Sequence, residues 1–216
     1  MEFLDEQIKA HLAVGRNMKP EAMIEILENK AKDICAEFAD FTDGYRVIQL
    51  ILRKSDGGGT NNDKVRKYIS TNPQEFYENI LKCLKYDFCS EKKFRIYSTV
   101  NVRNVDKAIR EFKTLQLNAD YDPNHIRNDF YNDTRNRWIS ALMKPSCKAT
   151  SFFLIDVDHD SPSEAGEKLQ ALGIATHKVY RTKNGWHFIT DPFDPSLMAG
   201  LKDTGVQKDS LLLLHF

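Results

Sequence analysis

Apolar positions along the chain change their period several times, and each change marks an element. Over residues 20–39, Met23, Ile24, Ile26, Leu27, Ile34, Cys35 and Phe38 recur at helical spacing; Pro20 suits a first turn and Asp43-Gly44 a stop. YRVIQLILRK (45–54) is a β-branched apolar run and predicts a strand. It leads into the polar, glycine-rich SDGGGTNND (55–63), which lacks the Gly-Lys-Ser/Thr of a phosphate-binding loop and reads as a flexible connector. Two helices are expected over 62–70 and 73–86. FRIYSTVNVR (94–103) alternates, with Phe94, Ile96, Ser98 and Val100 on one face and Arg95, Tyr97 and Thr99 on the other. A helix capped by Asn104 is expected over 104–116. Another, over 122–144, turns Ile126, Phe130, Tyr131, Trp138, Ile139 and Leu142 inward. Its opposite face mixes Arg127, Arg135 and Arg137 with Asp129 and Asp133, a pattern of a solvated face more than of a nucleic-acid surface. KPSCKAT (144–150) reads as a turn or linker.

The pattern sharpens from residue 151. FFLIDVD is a strand, and SPSEAGEKLQALG (161–173) is a helix with a capping serine, a glutamate three residues on and a closing glycine. IATHKVYRTK (174–183) is a strand, Asn184-Gly185 a strong hairpin signal, and WHFIT (186–190) the antiparallel return. A helix over 194–205 and a buried strand, SLLLLHF (210–216), complete a β-α-β-β-α-β order, the split βαβ or ferredoxin-like unit. The expected class is α+β: an N-terminal α/β module (1–149) packed on a C-terminal RRM-like module (150–216), the two forming one compact unit.

Bulk composition changes this picture little. The 216 residues are 41% hydrophobic and 29% charged, ordinary for a globular protein. Lys+Arg and Asp+Glu both number 31, so any nucleic-acid surface must be a local basic patch. Cys35, Cys83, Cys89 and Cys147 form no C-x-x-C pair and read as reduced, mostly buried thiols. The acidic, amphipathic start is no signal peptide, and no stretch reaches the roughly 18 apolar residues of a membrane span. A soluble, cytoplasmic protein with no membrane association is expected.

Candidate chemistry starts at SFFLIDVDHD (151–160). In a strand Leu154, Asp156 and Asp158 share one face, close enough for the two carboxylates to repel one another. A divalent cation relieves that repulsion, and carboxylate oxygens suit Mg²⁺ or Mn²⁺. In a split βαβ sheet of strand order 4-1-3-2 the neighbouring strand is WHFIT, carrying His187. The hairpin adds Arg181, Lys183 and Asn184. Carboxylates for metal, with cations and a histidine for phosphates, are the equipment of nucleotidyl or phosphoryl transfer. Asp209 is the candidate third carboxylate, with Asp203 and Asp160 behind it.

A strand ending in D-x-D, a hairpin histidine and a late strand bearing an acid together resemble the archaeo-eukaryotic primase superfamily, which includes small primase subunits and primase-polymerases. The matching stretches are LIDVD (154–158), NGWH (184–187) and, loosely, KDSLLLL (208–214). The resemblance covers about residues 150–216. It implies a metal-dependent nucleotidyltransferase in which Asp156, Asp158 and Asp209 hold metal and His187 grips the incoming nucleoside triphosphate. Arg181, Lys183 and Asn184 would assist that grip, and Arg95, Arg103 and Arg127 would line a single-stranded DNA or RNA template. A helicase or other replication protein is the partner such an enzyme would need.

Three other readings compete. A haloacid-dehalogenase-type phosphatase also opens on an apolar strand ending in D-x-D, but on a parallel sheet. A rolling-circle endonuclease shares the split βαβ but needs H-x-H and a nucleophilic tyrosine. An RNA-recognition-like module, or a primase fold kept as a scaffold, would stack bases on residues such as Tyr97 and Trp186.

Overall fold

Seven consecutive buried residues, Arg46–Leu52, form strand β1, the inner strand that the apolar run YRVIQLIL predicts. The structure is a computed structural model and describes residues 19–38, 44–54, 63–121, 131–158, 161–182 and 184–215, with the side chains of 63–65 excepted. The chain divides into two compact units. One comprises the described residues as far as Ser98 together with the chain from Leu213; the other is Thr99–Leu212. The fold is α+β, with five α-helices among the described residues and two antiparallel sheets.

In the first unit, helix α1 (Pro20–Phe38) buries Leu27, Ala31, Ile34 and Phe38, one stripe of the expected apolar face. Residues 63–70, expected as a helix, are instead strand β2 (Asp63–Ser70), antiparallel to β1 with Ile48 opposite Tyr68 and Leu50 opposite Arg66. An inner strand as apolar as β1 needs hydrogen-bonding neighbours on both edges, and that requirement overrides the helical look of DKVRKYIS. Helix α2 (Pro73–Cys89) starts at Asn72, whose Oδ1 accepts from the Glu75 amide at 2.9 Å. Strand β3 (Arg95–Thr99) pairs with β1 on its other side.

In the second unit, helices α3 (Val105–Tyr121) and α4 (Thr134–Leu142) meet through an edge-to-face contact of Phe112 and Trp138. Asn104 caps α3 through Lys107 N, as its position suggested. The helix expected over 122–144 is described only from residue 131; there Ile139 and Leu142 are buried, whereas Tyr131 is 46% exposed rather than inward. Ile126, Arg127, Asp129 and Phe130 lie outside the described residues.

The segment expected as a linker at 144–150 is bonded backbone to backbone along 102–104. Asn104 N donates to Cys147 O at 2.7 Å and Ala149 N to Val102 O at 2.8 Å. The buried Asn101 side chain bonds both the N–H and the C=O of Phe152, at 2.6 and 3.0 Å. No unit boundary falls at 149/150; the division precedes Thr99.

Strand β4 (Phe153–Val157), helix α5 (Ser163–Ala171), strand β5 (Thr176–Arg181) and strand β6 (Trp186–Thr190) follow in the expected order. Gly173, at φ +67°, ends α5 in a left-handed turn that suits glycine. The expected helix over 194–205 is a single 3-10 turn, Pro195–Met198, followed by strand β7 (Thr204–Gln207). Positive φ at Gly200 and Asp203 turns the chain back before a second helical turn can form. The second sheet therefore has the order β5-β6-β4-β7. The last strand, β8 (Leu211–His215), lies beside β3 in the first sheet and not beside β4. Under the second sheet, Ile155, Val157 and Phe188 pack with Ala165 and Leu169 of α5 and with Met198, and Trp186 covers the same cluster.

Candidate functional site

Strand alternation sends Ile155 and Val157 toward α5 and leaves Asp156 on the opposite face. The register then decides its neighbours. Asp156 lies directly opposite His187 on β6, His187 lies opposite Tyr180 on β5, and Gly205 on β7 flanks Asp156 from the other side. Four adjacent strands thus set Tyr180, His187, Asp156 and Gly205 in one row.

The side chains along this row are joined. His187 Nε2 is 3.0 Å from Asp156 Oδ1. On the other side of the imidazole, Nδ1 is 2.7 Å from the Tyr180 hydroxyl, the two rings meeting edge to face at 84° with centroids 5.2 Å apart. The His187 side chain is 9% exposed and that of Asp156 33%, so the histidine is enclosed while the carboxylate reaches solvent. Asp158 is exposed just beyond the strand, and its N–H donates to Asp203 O at 2.9 Å. A Cβ placed on Gly205 would meet none of the described residues within 4 Å, so among them the flank beside Asp156 is open.

The hairpin closes through Thr182 N to Gly185 O at 2.8 Å. Arg181 and Asn184 are exposed near its tip, with the Arg181 guanidinium 6.0 Å from the centre of the Trp186 ring. Lys183 and Asp160 lie outside the described residues, as does Arg127.

Two expected site residues are each other's partner. Arg103 donates to Asp209 through both terminal nitrogens, at 2.9 Å to Oδ2 and 2.7 Å to Oδ1, and Asn101 Nδ2 reaches Oδ1 at 3.4 Å. Arg103 is 1% exposed, so it cannot line a template; Asp209, at 12%, has both oxygens committed to the guanidinium. No group of three or more His, Cys, Asp or Glu residues close enough to share a metal ion occurs among the described residues. Asp156 and Asp158 are the carboxylates that would hold a hard cation here, one that keeps most of its waters, as Mg²⁺ commonly does on one or two carboxylates with substrate phosphates. Arg95, half-buried in β3, belongs to the first unit. Trp186 packs on the α5 side of its sheet, away from Asp156, and so offers no stacking surface beside the carboxylate.

The residue that pattern reading missed is Tyr180. Counting outward from the hairpin bond in YRTKNGWH puts it opposite His187, so its signal lay in the register and not in any motif. Comparison with protein-family models, with curated proteins and with solved structures finds no match to the chain.

Proposed function

We propose that this protein is a metal-dependent nucleotidyltransferase of primase-polymerase type, acting on nucleoside triphosphates over a single-stranded DNA or RNA template. The observation that carries the reading is the β4–β6 register, which sets the hairpin histidine 3.0 Å from the first aspartate of the D-x-D. Support also comes from the strand order: β5-β6-β4-β7, antiparallel throughout, corresponds to the 4-1-3-2 order of an RRM-like split βαβ with β7 as fourth strand. The second crossover is then a 3-10 turn instead of a helix.

In this reading Asp156 and Asp158 hold Mg²⁺ or Mn²⁺. The ion would supply neutralisation of the triphosphate and of the charge that develops in transfer. His187 donates to a phosphate oxygen from Nε2, with Lys183 and Asn184 of the hairpin as the further phosphate contacts; Arg181, opposite Trp186 and over its ring, belongs to the other face of the sheet and takes no part. The 3′-hydroxyl of a bound nucleotide or primer gives its proton to solvent as its oxygen bonds to the α-phosphorus, the α–β phosphoanhydride bond breaks and pyrophosphate leaves. A helicase or other replication protein would deliver the template.

One observation favours a second reading, a binding or scaffold protein with this fold and without the chemistry: Asp209 is bound to Arg103, which leaves two carboxylates where two-metal enzymes use three. The phosphatase reading loses ground, because β4 runs antiparallel to both neighbours where that family has a parallel sheet.

Titration calorimetry with Mn²⁺ and a nucleoside triphosphate separates the first two. Metal-dependent binding in the wild type, absent in Asp156→Ala/Asp158→Ala, supports the transferase and leads to primer-synthesis assays. A folded wild type that binds no triphosphate supports the scaffold.

A further inference from the structure

A carboxylate oxygen can only accept, so the 3.0 Å contact to Asp156 requires that His187 Nε2 carry the proton. Which nitrogen of an imidazole is protonated depends on the partner of the other one, and here that partner is the Tyr180 hydroxyl on Nδ1 at 2.7 Å. A phenol donates as well as accepts, so it matches a bare Nδ1 while leaving the Nε2 proton aimed across the row. The edge-to-face contact at 84° fixes the ring plane as well. Tyr180 reaches His187 from the edge strand of the sheet, two strands away from Asp156.

We propose that Tyr180 is the positioning residue of this site: it locks His187 in the Nε2–H tautomer and in the rotamer that points that donor at an anion. In the ligand-free protein the anion is Asp156. When Asp156 engages another partner, the same N–H is already aimed at a phosphate oxygen of the substrate. The second half of this statement rests on the nucleotidyltransferase reading; the tautomer and the rotamer belong to the protein alone.

The test uses full-length protein labelled with ¹⁵N-histidine, with neither metal nor nucleotide present. Long-range ¹H–¹⁵N correlation spectra of wild type and Tyr180→Phe are compared, and the His187 signals are assigned by their loss in His187→Gln. The wild type is expected to show a protonated Nε2 and an accepting Nδ1. Tyr180→Phe keeps the aromatic ring and the backbone spectrum, but its His187 signals should move toward a mixture of tautomers. An Nδ1–H pattern in the wild type, or unchanged His187 signals in Tyr180→Phe, overturns the proposal. A second measurement separates it from the functional reading. With Mg²⁺ and a nucleoside triphosphate, Tyr180→Phe should raise KM by roughly 10- to 100-fold with a smaller change in kcat, as loss of a supporting hydrogen bond typically does. A shifted tautomer in a protein that binds no triphosphate upholds the positioning role and overturns the nucleotidyltransferase reading.

Discussion

Arg103 and Asp209 hold each other in a two-pronged ion pair, 2.9 and 2.7 Å, with the arginine 1% exposed. A buried guanidinium left without its carboxylate is costly, about 3–5 kcal/mol for pairs of this kind. Asp209→Ala is therefore expected to lower unfolding stability by an amount of that order in urea titration. Arg103→Met/Asp209→Leu should recover much of the loss, since an apolar pair leaves no unmatched charge. If Asp209 were a metal ligand instead, its removal would leave stability nearly unchanged and weaken Mn²⁺ binding, and that outcome would remove the pair from the structural framework.

That Asp156 faces the WHFIT strand was legible in the sequence, from the alternation of β4 and the hairpin order. Four apolar positions set the facing of β4, and the hairpin fixes which face of β6 His187 shares with Tyr180, but the β4–β6 register that brings Asp156 opposite His187 was not fixed by either. What stayed hidden was set by distant partners. DKVRKYIS looks helical alone and becomes β2 because β1, buried along its whole length, requires a neighbour. SLLLLHF was correctly read as a strand, yet its apolar run does not say which sheet it joins; the four-residue strand TGVQ, with one large apolar side chain, takes the place beside β4. That exchange also separated Asp209 from its expected role, since the acid precedes a strand of the other sheet.

The start of α2 gives a pH-dependent prediction. Asn72 Oδ1 accepts from Glu75 N at 2.9 Å, while the Glu75 carboxylate accepts from the N–H and the hydroxyl of Thr71, both at 2.8 Å. The backbone bond from Thr71, aided by its hydroxyl, holds the Glu75 carboxyl below its ordinary pKa. A depressed carboxyl stabilises the fold above its unfolded pKa, about 4.3, and the contribution fades as pH falls through the lower folded value. The stability difference between wild type and Glu75→Gln should thus be flat above about pH 5 and shrink below about pH 4. Asn72→Ala should cost about 1 kcal/mol. A difference that grows on acidification would contradict the capping account.

Burial pushes the Cys83 thiol up to about 12 and that of Cys35 up to about 11. The nucleophile in thiol exchange is the thiolate, so both should be poor nucleophiles at pH 8. Ellman's reagent is expected to leave Cys83 unmodified in the folded protein and to modify it fully in denaturant, with mass mapping identifying the site. Rapid labelling of Cys83 under native conditions would mean that the α2 core opens far more readily than its packing implies.

Gly205 offers a way to block the candidate site without changing a charge. It sits opposite Asp156 on β7, its φ is not positive, and a Cβ there meets none of the described residues within 4 Å. Valine suits an extended strand, so Gly205→Val should leave stability unchanged or raise it by about 0.5–1 kcal/mol. The added side chain would occupy the flank through which a ligand approaches the carboxylate. Under the proposed function, triphosphate affinity in calorimetry should then fall by about 10- to 100-fold, the scale of a group misplaced in a binding pocket, while the melting temperature holds. Unaltered binding in Gly205→Val would show that ligands reach Asp156 from the His187 side or not at all.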